Sequence, residues 1–313
     1  GCIKLNDGTE IAKTKEIEVF SMDKNGKISL KKPSNLIRHK VKKKIFKIRL
    51  ASGREIKVTE DHSLFSLKNN QINEAKCSNL KVGEFIATPR MLKYEGNKKT
   101  FDLTLYLDKF KDFMVKGKQI KELILKYGRE IVKNKSNRQH YRNKSIIPAG
   151  IFRELLAKIN DEDKKFLEIV PKRSSINGRR SLPIIIKIEE DLATIIGMWL
   201  ADGCYDKNSI IISDPNIKSW EVIKRFGSKF NINIKLHSDN VSAMINSKCL
   251  KVFFEEVLDL NGNAYTKKVP NWIFDIEHGS LSNILKGYLG GDGYVGKNEI
   301  SIHSSSSQLL KDI

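Results

Sequence analysis

Cys2, Thr59 and His62 are of residue types that together can open a peptide bond without a protease. A thiol directly after a carbonyl can attack it through a five-membered ring, turning the amide between Gly1 and Cys2 into a thioester. The thiolate is the attacking form. Amide nitrogen leaves poorly unless protonated, and an imidazole, which titrates near neutrality, is a suitable donor. His62 is that candidate within Gly53-Arg54-Glu55-Ile56-Lys57-Val58-Thr59-Glu60-Asp61-His62-Ser63-Leu64-Phe65, where Thr59 offers a hydroxyl to hold the scissile amide.

A second pattern occurs twice. Thr194-Ile195-Ile196-Gly197-Met198-Trp199-Leu200-Ala201-Asp202-Gly203 has the apolar density of a buried helix and ends in Asp-Gly, as does Ser282-Asn283-Ile284-Leu285-Lys286-Gly287-Tyr288-Leu289-Gly290-Gly291-Asp292-Gly293. Small residues recur at helical spacing in each, Gly197 and Ala201, then Gly287 and Gly291. An interior glycine costs a helix about 1 kcal/mol relative to Ala, so close helix-on-helix approach is the expected reason. An Asp in a last turn opposes the helix dipole by roughly 0.3–1 kcal/mol. The plain alternative is a stop signal with glycine in a left-handed cap; two matching copies favour a functional site.

The elements that must position these residues are of two kinds. The first ninety residues alternate with a two-residue period, with turns at Asp23-Lys24-Asn25-Gly26-Lys27 and Ala51-Ser52-Gly53-Arg54 and a strand-like run at Ile45–Leu50, which predicts a β-rich domain. After Leu80–Arg90 the period becomes helical, as in Gln119–Tyr127. Strands are expected at Ser209–Ser213 and Asn233–His237, and a helix beginning before Lys311-Asp312-Ile313.

The 313 residues exceed the usual size of one core, and 40% hydrophobic residues suffice to build more than one. Lys and Arg number 57 against 37 Asp and Glu, a net +20 that points to a polyanion such as nucleic acid. Residues 97–183 alone hold 22 Lys or Arg against 10 Asp or Glu. There, Lys133–Arg142 mixes cations, amides and an aromatic, a composition suited to phosphate contact and base-edge reading, although a solvated basic linker has the same look. Cys2, Cys77, Cys204 and Cys249 show no metal-ligand spacing. No apolar run approaches a membrane span and no signal peptide opens the chain, so no membrane partner is expected and the expected compartment is cytoplasmic.

Residues 2–90 resemble the N-terminal half of an intein. Cys2 matches the first-block nucleophile, Gly53–Phe65 the second block with its Thr-x-x-His, and Ala75–Arg90 the strand of pattern A-x-x-L-x-x-G-D-x-I, with Glu84 in place of Asp. This likeness implies catalytic roles for Cys2, Thr59 and His62, a structural role for Cys77, and Gly1 as the last residue of a host segment. Ile195–Gly203 and Leu285–Gly293 are similar to the nine-letter motif of LAGLIDADG homing endonucleases. That likeness places Asp202 and Asp292 as metal-binding and catalytic residues, with Mg²⁺ or Mn²⁺ as cofactor. Tyr265–Pro270 resembles the family's K-x-I-P block, which makes Lys267 or Lys268 the catalytic lysine.

The implied fold class is multi-domain: an all-β Hint-type splicing module followed by an α+β endonuclease of αββαββα-like repeats. The corresponding boundaries are 1–95 for the splicing half, 96–183 for a basic linker or DNA-recognition region, 184–283 for the first repeat and 284–313 for the start of an incomplete second. The implied activities are protein splicing, begun by an N-to-S acyl shift at Cys2, and double-strand cleavage of an empty insertion site. Expected partners are that double-stranded DNA, flanking host-protein segments and a missing C-terminal intein segment, since no His-Asn dipeptide occurs. Read as such a fragment, the chain would form the thioester but neither splice nor readily cut both strands. Rival readings are a DNA- or RNA-binding module with lost catalysis and a hedgehog-like autoprocessing domain.

Overall fold

The computed structural model describes residues 2–14, 17–23, 25–90, 92, 96–172, 181–214 and 216–313. Gly1 at the expected scissile bond, Lys24 of the first turn and residues 173–180 of the basic region lie outside the described residues. Two compact units are present, 1–94 and 95–313, the structure mixing helices with small sheets.

Unit 1 is built of antiparallel strands, with no α-helix among its described residues. Cys2–Lys4 pairs with Glu10–Lys13, which also pairs with Asn35–Arg38. Val19–Met22 pairs with Ile28–Lys31, Ile45–Arg49 with Glu55–Thr59, and Ser63–Lys68 with Gln71–Lys76. The first turn closes as its residue types require. The Asp23 carboxylate accepts from the Asn25 and Lys27 nitrogens, each at 2.9 Å, and Gly26 takes φ +76°.

Ala75–Arg90 does not form the expected continuous strand. The chain leaves Gln71–Lys76 through a 3₁₀ turn at Cys77–Asn79 and rejoins a sheet only at the Ser66 to Ile86 bridge. Gly83, at φ +95°, turns the chain between them, a conformation that a strand does not contain. Cys77 is buried, which pushes its thiol pKa up, and Val58 and Ser66 are buried with it. Ile3, Ile37 and Phe65 leave apolar strand faces exposed, and Phe85 is exposed in the segment after Gly83.

Unit 2 has a continuous core. Its first part contains the antiparallel sheet Ile146–Pro148, Phe113–Lys116, Glu168–Pro171, Leu182–Pro183, in that spatial order. The helices α1 (Lys118–Ile131), α2 (Lys135–Lys144), α3 (Ala149–Leu155) and α4 (Asp161–Lys164) accompany it. The stretch 96–183 is folded where described. Phe101, Phe110, Val115, Ile147 and Phe152 are buried in the same core as Ile196 and Trp199, whereas a solvated linker would leave them in water.

Next come α5 (Glu190–Asp202), strands Gly203–Asp206 and Ser209–Ile212, α6 (Ile217–Lys229), strands Ile234–Leu236 and Ala243–Asn246, and α7 (Lys248–Val252). The four strands form one antiparallel sheet in the order Gly203–Asp206, Ser209–Ile212, Ala243–Asn246, Ile234–Leu236. Helix, two strands, helix then recur as α8 (His278–Asp292), Gly293–Val295, Ile300–Ile302 and α9 (Ser307–Asp312). Every residue of α5 from Asp191 to Leu200 is buried, the consequence of apolar side chains on all its faces. Among the described residues no helix is long and apolar enough to cross a membrane.

Candidate catalytic sites

The two Asp-Gly helices, α5 and α8, lie against each other through their glycines. A Cβ on Gly197 would overlap the Ile284 carbonyl oxygen and stand 2.7 Å from the Tyr288 nitrogen. A Cβ on Gly287 would overlap the Thr194 carbonyl oxygen and stand 3.0 Å from the Met198 nitrogen. The relation is reciprocal, each glycine seated on the partner backbone at the equivalent place in the repeat. Backbone approach this close is open only to glycine.

Gly203 and Gly293 are not left-handed caps. Their φ values are −86° and −116°, and each begins a strand. A Cβ on Gly203 would stand 2.5 Å from the Trp199 Cα, and one on Gly293 2.6 Å from the Leu289 Cα, so here glycine lets the chain fold back across the helix end. The fold-back is fastened alike in both copies. The Asp202 carbonyl accepts from the Ser213 nitrogen at 3.2 Å, and the Asp292 carbonyl from the His303 nitrogen at 2.9 Å.

This packing brings Asp202 and Asp292 to one cavity of about 570 Å³, which Lys267, His303 and Ser304 also line. Burial first, and the neighbouring Asp292 second, raise the Asp202 pKa against the pull of Lys267. Burial likewise raises the Asp292 pKa, opposed by Lys267 and His303.

Lys267 is 5% exposed. Its Nζ donates to the carbonyls of Trp199 and Ala201, each at 2.9 Å, joining the Gly203 nitrogen, which also donates to the Trp199 carbonyl, in holding the end of α5. The ammonium also lies 4.9 Å from the centre of the Trp199 ring. Burial lowers the lysine pKa, and Asp202 and Asp292 work against that. Its backbone is held from the other side, where the Ser306 hydroxyl donates to the Lys267 carbonyl at 2.7 Å. Lys268, by contrast, is exposed and pairs with Asp259 at 3.5 Å. Of the two candidate lysines only Lys267 reaches the carboxylates' cavity. His303 and Ser304 were not singled out from sequence; the only signal for them is their offset beyond Asp292, matching that of Ser213 and Asp214 beyond Asp202.

In unit 1, Thr59 ends the strand Glu55–Thr59 and His62 closes the turn that follows, its nitrogen donating to the Thr59 carbonyl at 3.0 Å. The Thr-x-x-His thus straddles a turn rather than lying along one strand. The His62 carbonyl accepts from the Cys77 nitrogen at 2.9 Å, which ties the turn to the buried thiol's segment. Between the two residues, Asp61 accepts from Lys43, and that hydrogen bond holds its carboxyl below the usual range. His62 is exposed and Thr59 half-buried. Cys2 is exposed at the start of its strand, opposite Ala12. The turn joins Thr59 to His62; Cys2 is placed by a different sheet.

Comparison with known proteins bears on both units. The model of the intein splicing domain matches residues 2–285. The chain is similar to a DNA polymerase of Thermococcus sp. (strain GE8), 27% identical across 98% of this chain and 22% of that protein. It is also similar to the DNA-directed RNA polymerase subunit Rpo1C of Methanocaldococcus jannaschii (26% identical, covering 95% of this chain and 29% of that one). A third relative is the DNA polymerase II large subunit of Thermococcus kodakarensis, at 25% identity over 95% of this chain and 17% of that protein. The chain spans less than a third of the length of these relatives. The match of the family model over nearly the whole chain shows that it belongs to the intein splicing domain family.

Proposed function

We propose that unit 1 begins protein splicing at Cys2 and that unit 2 is a LAGLIDADG-type homing endonuclease that cuts duplex DNA. Membership of the intein splicing domain family supports autocatalytic splicing. In the splicing step the Cys2 sulfur attacks the carbonyl of Gly1, the amide C–N bond breaks and an S–C bond forms. His62 delivers a proton to the departing nitrogen, and Thr59 holds the amide. The product is a thioester with a free α-amine on Cys2. Flanking host segments are the substrate. A C-terminal intein segment supplies the remaining strands of an all-β Hint module, covering apolar faces such as Ile3, Ile37 and Phe85.

One observation carries the endonuclease reading: Asp202, Asp292 and Lys267 line one cavity at the end of a glycine-packed helix pair. The two half-buried carboxylates suit a hard divalent ion, Mg²⁺ or Mn²⁺, because they face one cavity and present the oxygen donors such ions take. Among the described residues no three or more His, Cys, Asp or Glu are grouped so as to hold a metal ion by themselves, so water and phosphate oxygens would complete the shell, an arrangement Mg²⁺ prefers. Such an ion supplies Lewis-acid stabilisation of the phosphodiester and an activated water. Lys267, held against the cavity wall by the Trp199 and Ala201 carbonyls, sets a cationic donor beside the carboxylates, suited to stabilise charge that builds on the phosphodiester.

The test uses the protein expressed from its complete reading frame and a supercoiled plasmid carrying the coding sequence with the intein removed. With Mg²⁺, cleavage of one or both strands is expected, and Asp202→Asn and Asp292→Asn should abolish it while retaining a gel shift. Wild-type protein that binds the site but never cuts would replace this reading with that of a binding module. For splicing, thiol-induced release of the N-terminal host segment should require Cys2; release from Cys2→Ala protein would refute the assignment.

A further inference from the structure

The geometry points to α1 and α2 as a helix-turn-helix whose second helix enters the DNA major groove, away from the carboxylate cavity; this rests on the DNA reading above. Val132, Lys133 and Asn134 alone join the two helices, the three-residue connection such motifs use. The corner is built to hold. The Asn134 side chain caps α2 by accepting from the Asn137 nitrogen at 3.0 Å. Arg138 turns back to donate to the Val132 and Lys133 carbonyls at 2.5 and 2.8 Å. Gly128 of α1 faces the Arg138 stem, where an added Cβ would stand 3.6 Å from its Cδ.

With that, the two faces of α2 divide their work. Arg138, Tyr141 and Arg142 are half-buried, whereas Ser136, Gln139, His140, Asn143 and Lys144 are exposed. At 100° per residue, Ser136, His140 and Asn143 centre the outer face, flanked by Gln139 and Lys144. Hydroxyl, amide and imidazole groups are those that hydrogen-bond base edges in the major groove. Cations suit the phosphates on either side. A cavity of about 360 Å³ between α1 and α2 is lined by Arg129, Lys135, Arg138, Gln139 and Arg142, a cationic lining that suits phosphate oxygens. Residues 131–153 contain six Lys or Arg and no Asp or Glu, so no carboxylate on this segment repels the backbone of a duplex. Among its own cations α2 carries no acid.

The test compares wild type with the Ser136→Ala/His140→Ala/Asn143→Ala triple variant, as full-length protein, on the duplex formed by joining the codons that flank the intein. Dimethyl sulfate protection reads guanine N7 in the major groove. Expected is a protected patch separate from the cleavage position, lost in the triple variant. Affinity should fall at least tenfold, toward that for a random duplex, with an unchanged melting temperature because the replaced groups are exposed. Lys144→Glu is the second variant and should weaken binding to specific and random duplex alike. Unchanged protection and affinity in both variants would overturn the inference while leaving cleavage, and so the endonuclease reading, intact. A wild-type protein that neither binds nor cuts would overturn both. Tighter binding to an RNA hairpin than to the duplex would also overturn it.

Discussion

Gly197 and Gly287 occupy equivalent places on α5 and α8, and each lies where the other helix's carbonyl leaves no room for a Cβ. This mutual seating brings the ends of the two helices together, and with them Asp202 and Asp292. Ala at either position meets backbone, which cannot rotate away as a side chain can. Gly197→Ala and Gly287→Ala should each destabilise unit 2 by about 3 kcal/mol, the upper range for overpacking. Both should reduce DNA cleavage. Gly290→Ala, whose Cβ meets open space, is the control and should leave the denaturation midpoint unchanged or slightly raised.

The lysine pair separates cleanly. Lys267→Met keeps the buried stem but removes the ammonium, and cleavage should fall by at least ~10²-fold, the scale for losing one preorganised electrostatic donor. Lys268→Met removes an exposed ion pair and should stay within about threefold, since such pairs contribute ~1 kcal/mol or less. Single-turnover cleavage rates at saturating DNA check both.

The carboxylates carry a stability signature of their own. A carboxyl whose folded pKa lies above its unfolded value costs stability once ionised. That cost grows as pH rises from the ordinary aspartate range through the raised folded value. Asp202→Asn should therefore melt higher than wild type at pH 7 in a chelator, by a few degrees if the gain is about 1 kcal/mol. Mg²⁺ should raise the melting temperature of wild type and leave that of the double Asn variant unmoved. Calorimetry with and without Mg²⁺ reads both.

Asp191 works in the opposite direction. It is 3% exposed and pairs with Arg225 at 2.5 Å and Lys229 at 3.0 Å, and the Arg225 hydrogen bond holds its pKa below the usual range. Its contribution is full above the ordinary aspartate pKa and is lost as pH falls through the depressed folded value. Asp191→Asn should cost about 2 kcal/mol at pH 7, typical of hydrogen bonds to charged groups. The difference from wild type should shrink in acid. Urea midpoints at pH 7 and pH 3 test the sign.

In unit 1, His62→Ala should slow thiol-induced release at the Cys2 junction by about 10²–10⁴-fold, the usual worth of a general acid. Thr59→Ala should slow it less. Cys77→Ser, by placing a hydroxyl where the buried thiol lies, should lower stability without abolishing release. Denaturing gels of the released segment over time distinguish the three.

What the chain's own order determined is local. The strand periods of the first ninety residues and the two helices ending at Asp202 and Asp292 follow from spacing, because their hydrogen bonds and apolar faces close within a few residues, whereas the turn between Thr59 and His62 does not show in the linear pattern. Tertiary structure decided what depends on distant partners. Lys267 and Lys268 are indistinguishable in a linear reading; the carbonyls of Trp199 and Ala201, far back along the chain, hold one of them and leave the other in water. A left-handed cap is the plain alternative for the glycines after Asp202 and Asp292, but their φ values are negative, and what excludes a side chain there is the helix they fold back upon. The basic stretch after residue 96 has the composition of a linker apart from the helical period at Gln119–Tyr127, but its aromatics and aliphatics bury together from separate elements, a meeting that spacing along the chain does not reveal. A sequence records which groups can bond or pack; the packed core decides which of them meet, since only there does the cost of an unpaired buried group or an overlapping atom act.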